Sequence, residues 1–219
     1  SLDWPGRRVS ASAIREMARA VGSTDLDILD QLDDGICSHS TCSLSTVLAF
    51  HHTGVLRNLE SAATVISKEM AEGWVRAGTM TLPMVPLRML PRNVILQERS
   101  RVLAEGSVEH YQKPRVATDE SESKSPDSPN GGIPRDQIDL ELARAQDFAE
   151  GAAIVATASA DPVRTGMYAV DLESAYRFLP YQRLDWWQHA FLWWDSAGRP
   201  VICIHLRLAF GGAHGPQRF

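Results

Sequence analysis

Apolar residues in the first part of the chain recur at helical spacing. One helical face combines four residues at positions i, i+3, i+4 and i+7, namely Ile14, Met17, Ala18 and Val21. Ser12 is the candidate N-cap of this helix, and Gly22 is the residue at which we expect it to end. Two more helices are predicted over residues 26–32 and 59–72, each followed closely by a glycine. The inward face of the last helix is formed by Ala62, Ile66 and Met70.

The spacing changes to that of strands after residue 80. Three prolines exclude a helix there: Pro83, Pro86 and Pro91. Apolar runs at 94–96 and 108–116 flank the turn Ala104-Glu105-Gly106, which predicts a long β-hairpin. Residues 119–137 are rich in Ser, Pro, Asp and Gly and are predicted to form a loop, whereas a helix is expected over 139–150.

Strand-like runs return near the end of the chain, over residues 167–170, 190–194 and 201–206. The turn Asp195-Ser196-Ala197-Gly198 links the last two runs. Helices that precede and flank antiparallel strands indicate an α+β protein.

Composition places the protein among ordinary globular chains. Its 219 residues are 44% hydrophobic and 22% charged, with three cysteines and a net charge of -5. Three cysteines argue against a disulfide framework and for a reducing compartment. No apolar run reaches the length of a membrane span, and no secretory signal is visible at the start. We therefore expect an intracellular protein of the cytoplasm or nucleus, with no membrane partner.

The charge is unevenly distributed. Residues 88–115 contain six Lys or Arg against three Glu, whereas residues 120–150 contain eight Asp or Glu against three Lys or Arg. A net negative chain is unusual for a protein that binds nucleic acid, but local charge decides such binding, and the hairpin is locally positive.

Asp171 stands at the end of an apolar run, with Ala175 and Tyr176 four and five residues later. A carboxylate held rigidly by a strand is what two-metal nucleotidyl transfer requires of its metal ligand. A ring five residues on could lie under the sugar and collide with a ribose 2′-OH. The alternative is that Asp171 only caps a strand or turn.

Two further stretches have chemistry consistent with a nucleotide site. Residues 208–219 contain several glycines around Phe210 and Gly211, which permit a loop against a nucleotide, although a plain Gly-rich turn is the alternative. Lys113 and Arg115 lie on the return strand of the hairpin, where an Arg could grip a triphosphate through paired N–H donors. The alternative for this pair is a solvated hairpin edge.

Other suggestive clusters have simpler interpretations. Five Cys and His residues lie near one another in the sequence, namely Cys37, His39, Cys42, His51 and His52. Their spacing matches no known arrangement of zinc ligands. The Trp pairs 186–187 and 193–194 could stack on bases, but we interpret them as core residues, with one of each pair exposed by strand alternation.

The order and spacing of the motifs resemble the reverse transcriptases of retroelements. Their first palm motif, Asp-x-x-x-Ala-aromatic, is matched by Asp171, Ala175 and Tyr176. An Ala-Phe step follows at Ala190-Phe191, and a Leu-Pro-Phe-Gly motif is matched over residues 208–219. The hairpin matches their Lys-x-Arg and a later Asp in Lys113, Arg115 and Asp119. Residues 125–134 resemble a Ser-Val-Asn-x-Gly-Ile segment of the DIRS-like subgroup, and the likeness covers about residues 55–219.

The resemblance implies the fingers and a partial palm behind a helical N-terminal segment. The expected division is residues 1–80 for the helical segment, 81–160 for the fingers-like hairpin, loop and helix, and 161–219 for the partial palm. The implied activity is template-directed DNA synthesis from dNTPs on a primed RNA or DNA template, with two Mg²⁺ ions. The implied roles are a metal ligand in Asp171, a sugar gate in Tyr176, a triphosphate ligand in Arg115 supported by Lys113, and nucleotide contacts at Phe210 and Gly211.

The sequence also departs from the family. Ala209 replaces the usual Pro, and Gly215 replaces the usual Ala, so the loop is expected to be looser. The Tyr-x-Asp-Asp motif, which holds the other metal-binding carboxylates, does not occur before Phe219. We therefore expect no primer extension by these 219 residues alone. The alternative function is a non-catalytic retroelement relic that binds nucleic acid weakly at most.

Overall fold

A computed structural model describes residues 11–22, 27–122, 127–134, 145–158 and 175–211. The α-helices are α1 (Ala11–Ala20), α2 (Asp27–Asp34), α3 (Thr53–Arg57), α4 (Leu59–Ala71) and α5 (Ala145–Ala158). The strands are β1 (Val75–Thr79), β2 (Arg92–Val102), β3 (Val108–Thr118), β4 (Ala190–Trp194) and β5 (Pro200–His205). Two 3₁₀ helices cover Ala175–Phe178 and Arg183–Gln188. The predicted α+β architecture with antiparallel strands is confirmed.

The three N-terminal helical predictions are confirmed as α1, α2 and α4, but two details of α1 are wrong. Ser12 lies inside the helix rather than at its cap. Met17 and Val21 on the predicted apolar face are 69% and 80% exposed. The reason is that α1 packs against the short α2, to which Arg15 is joined by ion pairs, and not against the main core.

The main core lies between α4, the sheet and the base of the hairpin. As predicted, Ala62 and Ile66 of α4 are fully buried and Met70 packs beside them. They belong to one apolar cluster with residues of α3, the hairpin and strands β1, β4 and β5: Val55, Val75, Val94, Val116, Phe191, Trp193, Val201 and Cys203. Burial of this apolar surface is the main force that joins the hairpin to the sheet.

The predicted hairpin is confirmed as β2 and β3. They pair antiparallel without interruption from Arg92–Thr118 at the base to Val102–Val108 at the tip. The base is buried and the tip is exposed, so the hairpin projects from the core. Its buried end is the part that contributes to the candidate site.

The second sheet has the order β1-β5-β4, with antiparallel pairs. The predicted strands over 190–194 and 201–206 are confirmed as β4 and β5, while β1 was not predicted. Parallel bridges from Met89 to Ala190 and from Val47 to Arg88 widen this sheet at the start of β4. Along β4, Trp193 is buried and Trp194 is partly exposed, which is the predicted alternation. The same prediction is wrong for Trp186 and Trp187, which lie in a 3₁₀ helix and are both partly buried.

The remaining predictions have mixed outcomes. The helix expected over 139–150 corresponds to α5, which covers Ala145–Ala158 within the described residues. Within the loop expected over 119–137, the described residues 119–122 and 127–134 form no helix or strand. The strand expected over 167–170 and the candidate metal ligand Asp171 lie outside the described residues. No helix in the described ranges is long and apolar enough to cross a membrane.

Candidate functional site

The candidate site lies where the base of the hairpin meets the segment that follows β5. The backbone N–H of Thr118, the last residue of β3, donates to the carbonyl oxygen of Phe210 at 2.9 Å. The side-chain amide of Asn130 donates to the carbonyl oxygen of Gly211 at 3.0 Å. Phe210 and Gly211 are therefore held between β3 and the loop that contains Asn130, while the Phe210 side chain stays 46% exposed.

Gly211 occupies a position that only glycine fits. Its φ is +132°, and a Cβ built on it would lie 1.9 Å from the carbonyl oxygen of Thr118. The chain therefore passes β3 in backbone-to-backbone contact, in a conformation that L side chains rarely adopt. This approach places the Phe210 ring next to the hairpin.

Arg115 and Tyr176 both contact the Phe210 ring. The guanidinium carbon of Arg115 is 5.7 Å from the ring centroid, within the range of a cation–π contact. The Tyr176 ring meets the same ring edge-on, with 5.9 Å between centroids. Gln97 accepts a hydrogen bond of 2.7 Å from Nε of Arg115, which holds the guanidinium in place. The residues at 115, 176, 210 and 211 are thus brought together.

Lys113 lies two cross-strand pairs farther from the base than Arg115. It pairs with Gln97, whereas Arg115 pairs with Ile95, so both side chains lie on the same face of the hairpin. Lys113 is exposed. The structure therefore places it beside the site rather than in contact with the two rings.

Behind Tyr176 lies a buried ionic cluster that sequence reasoning missed. Glu69 of α4 accepts hydrogen bonds of 2.7 and 3.1 Å from the two Nη atoms of Arg92 and a further short hydrogen bond from Arg177. The side chains of Arg92, Glu69 and Arg177 are 0%, 5% and 9% exposed. Arg177 directly follows Tyr176, so this cluster lies one residue from the site.

Electrostatics keep the cluster ionised. Burial raises the pKa of the Glu69 carboxyl, but the charges and hydrogen bonds of Arg92 and Arg177 outweigh it and leave that pKa below its ordinary value. Burial, reinforced by Arg92 and Arg177, holds the pKa of the neighbouring His205 well below its ordinary value. His205 is therefore neutral at pH 7 and serves as a hydrogen-bond partner rather than as a third cation.

A second buried network holds the other end of the 208–211 segment. The Tyr181 hydroxyl donates to Glu120 at 3.0 Å and accepts the backbone N–H of Ala209 at 3.2 Å. The Tyr181 ring stacks on His189, with 3.7 Å between centroids. Burial, and then the Glu120 charge, raise the pKa of Tyr181 well above its ordinary value, so the hydroxyl stays protonated.

No metal-binding group is found in the described ranges. These ranges contain no group of three or more His, Cys, Asp or Glu side chains that could hold an ion. In the Cys–His cluster, Cys42 donates to Gln188, His51 contacts the Leu192 carbonyl oxygen, and His52 contacts Asp119. Asp171 lies outside these ranges, so its metal ligation stays a prediction.

Comparisons with known proteins add no family assignment. No family model matches the chain, and neither the curated proteins nor the solved structures gave a significant match.

Proposed function

We propose that the chain forms the nucleotide-binding part of a retroelement reverse transcriptase, an RNA-directed DNA polymerase that acts on dNTPs and a primed template. The observation that carries the proposal is the meeting of Arg115, Tyr176, Phe210 and Gly211 at the base of the hairpin. They come from three separated stretches of sequence, each selected by a motif of that family. A chance resemblance in sequence would not be expected to bring the three stretches into contact.

Each side chain has a chemical task in this proposal. Gln97 holds Nε of Arg115, and the terminal amino groups have no hydrogen-bond partner among the described residues, so they are available to phosphate oxygens. The partly exposed rings of Phe210 and Tyr176 each form an apolar wall against which a sugar or base can lie. A bulky ring at position 176 leaves little room for a 2′-OH, which favours deoxynucleotides.

The metal chemistry is assigned to Asp171 on sequence grounds. Together with the carboxylates of a Tyr-x-Asp-Asp motif in the complete enzyme, Asp171 would hold two Mg²⁺ ions, which supply activation of the primer 3′-OH and stabilisation of the leaving pyrophosphate. The described residues contribute the nucleotide side of this reaction.

Binding of dATP tests the proposal directly. In calorimetric titration of the chain with dATP and Mg²⁺, Arg115→Ala should weaken binding by on the order of 10- to 100-fold, because charge-assisted hydrogen bonds to phosphate are lost. Arg199→Ala is the matched control, since Arg199 is an exposed arginine paired with Asp195 in the β4–β5 turn. The unchanged protein should also bind dATP more tightly than ATP. Absence of dATP binding, or equal loss in both variants, would refute the proposed function.

A second candidate function, a nucleic-acid-binding module without polymerase chemistry, is favoured by the hairpin surface. One face carries Arg99, Lys113 and Arg115 together with Tyr111 and the ion pair of Arg101 with Glu109, because these residues occupy cross-strand pairs of the same orientation. Positive side chains interleaved with an aromatic ring suit a single-stranded nucleic acid.

Salt dependence distinguishes this candidate from nucleotide binding. Affinity for fluorescein-labelled oligo(dT) should fall steeply with salt, and Lys113→Ala should reduce the slope of log K against log salt by about 0.7. Lys68→Ala, which removes an exposed lysine from α4, should leave the slope unchanged. A module with no nucleotide site would bind oligo(dT) but show no preference for dATP over ATP.

A further inference from the structure

We propose that the buried cluster of Glu69, Arg92 and Arg177 is a positioning device for the nucleotide site and fixes the Tyr176 ring for sugar discrimination. This inference rests on the proposed function. Arg177 acts through its neighbour Tyr176 and is a positioning residue, since it lies in the interior and not on the nucleotide-facing surface.

The first step concerns the wall that carries Tyr176. Tyr176 and Arg177 belong to a 3₁₀ helix of only four residues, Ala175–Phe178, which cannot hold a side chain rigidly by itself. Arg177 donates to Glu69 on α4 and, at 3.3 Å, to the carbonyl oxygen of Arg207. Its guanidinium carbon also lies 5.7 Å from the Trp74 ring centroid. The short helix is therefore tied to α4 and to the segment after β5.

The second step concerns the wall that carries Phe210. Arg177 Nη1 lies 3.3 Å from Nδ1 of His205, and a guanidinium only donates, so Nδ1 is the acceptor. The neutral imidazole then carries its proton on Nε2, which donates to the Thr118 hydroxyl at 3.2 Å. Thr118 is the residue that bonds Phe210 and contacts Gly211. One continuous hydrogen-bonded path thus joins Glu69 to both walls of the site.

The third step concerns why these groups are ionic. Two guanidinium groups share one buried carboxylate, and apolar residues of similar volume would often stabilise a core equally well or better. What the cluster adds is a set of directional hydrogen bonds, because Glu69 accepts one from each Nη atom of Arg92 and another from Arg177. These contacts set the register between α4, β2 and the 175–178 helix, which apolar packing alone specifies less sharply.

The test replaces Arg177 and observes Tyr176. In Arg177→Met, Glu69 keeps its paired contact with Arg92, so one carboxylate still balances one guanidinium. The protein is labelled with 3-fluorotyrosine, and the Tyr176 signal among the four tyrosines is assigned through Tyr176→Phe. We expect the ¹⁹F resonance of Tyr176 to shift or broaden in Arg177→Met while the Tyr111 resonance stays in place. The preference for dATP over ATP should fall by on the order of 10- to 100-fold.

Arg199→Met is the matched control and should change neither the spectrum nor the preference. If the unchanged protein prefers dATP but Arg177→Met keeps both the preference and the Tyr176 resonance, the positioning role is refuted and the proposed function stands. If the unchanged protein shows no preference, the proposed function fails and this inference with it. If the far-UV circular dichroism of Arg177→Met shows that this variant does not fold, Arg177→Lys takes its place, because lysine keeps the charge but not the planar guanidinium. Loss of folding in both variants would also overturn the proposal, since the cluster would then only hold the fold.

Discussion

Replacing Gly211 by alanine tests the contact that builds the candidate site. The added Cβ would lie 1.9 Å from the Thr118 carbonyl oxygen, and the backbone there has a φ of +132°. Carbon and oxygen atoms approach to about 3.3 Å even in weak hydrogen bonds, so β3 and the 208–211 segment must separate by roughly 1.4 Å. Both the separation and the strained φ raise the free energy of the folded variant.

The magnitude can be built from two contributions. A non-glycine residue in a sparsely populated backbone region costs about 1–3 kcal/mol. Separation also breaks the 2.9 Å hydrogen bond from the Thr118 N–H to the Phe210 carbonyl oxygen, which contributes about 1 kcal/mol. Gly211→Ala should therefore lose about 2–4 kcal/mol of unfolding free energy, a large part of the 5–15 kcal/mol typical of a native protein.

Urea denaturation, followed by circular dichroism, measures this loss. Gly106→Ala is the matched control, because Gly106 also has a positive φ, +85°, but an added Cβ there meets no atom within 4 Å. It should lose only about 1 kcal/mol, from backbone strain alone. Binding of dATP should be lost in Gly211→Ala and retained in Gly106→Ala. Equal destabilisation of the two variants would show that the approach to Thr118 does not constrain the site.

Three other changes test the buried networks. Glu69→Gln should lower the free energy of unfolding, measured by urea denaturation, by about 3–5 kcal/mol, because two guanidinium groups lose their shared carboxylate. A decrease no larger than that of the exposed Glu109→Gln would contradict this. Tyr181→Phe should lower the free energy of unfolding by about 1–3 kcal/mol, because its two hydrogen-bond partners stay buried without the hydroxyl. An unchanged urea midpoint would refute that reasoning. The pKa of His205 in the folded protein lies below the unfolded value of about 6.5, so the unfolded chain binds more protons at acid pH. The free energy of unfolding should therefore fall below pH 6.5 by up to about 1.4 kcal/mol per pH unit. His205→Gln should remove this part of the slope, and His110→Gln at an exposed site should not.

The sequence predicted elements well where the signal is local. The period of apolar residues located α4, and the turn residues 104–106 and 195–198 located both hairpins close to their observed bounds. The same local signal was misleading for α1, where two of the four residues on the predicted apolar face are exposed. Spacing shows which residues share a face, but not which element will cover that face.

The candidate site also combines local information from the sequence with contacts that only the fold creates. The motifs selected Arg115, Tyr176, Phe210 and Gly211 as separate points along the chain, and the fold brings these four together. Their separation in sequence leaves no local pattern that could specify the contacts. The contacts depend on the pairing of β2 with β3 and on the backbone approach of Gly211 to Thr118.

Only the tertiary structure revealed what holds the site from behind. Glu69 is 23 residues from Arg92 and 108 residues from Arg177, and in the sequence each resembles an ordinary charged surface residue. Burial turns them into a cluster, because charges removed from water must find partners of opposite sign. The sequence by itself therefore predicted α1, α2, α4, α5 and both hairpins, and it selected the candidate site residues. Long-range packing alone decided which charges are buried, which groups they hold and how the two walls of the site are joined.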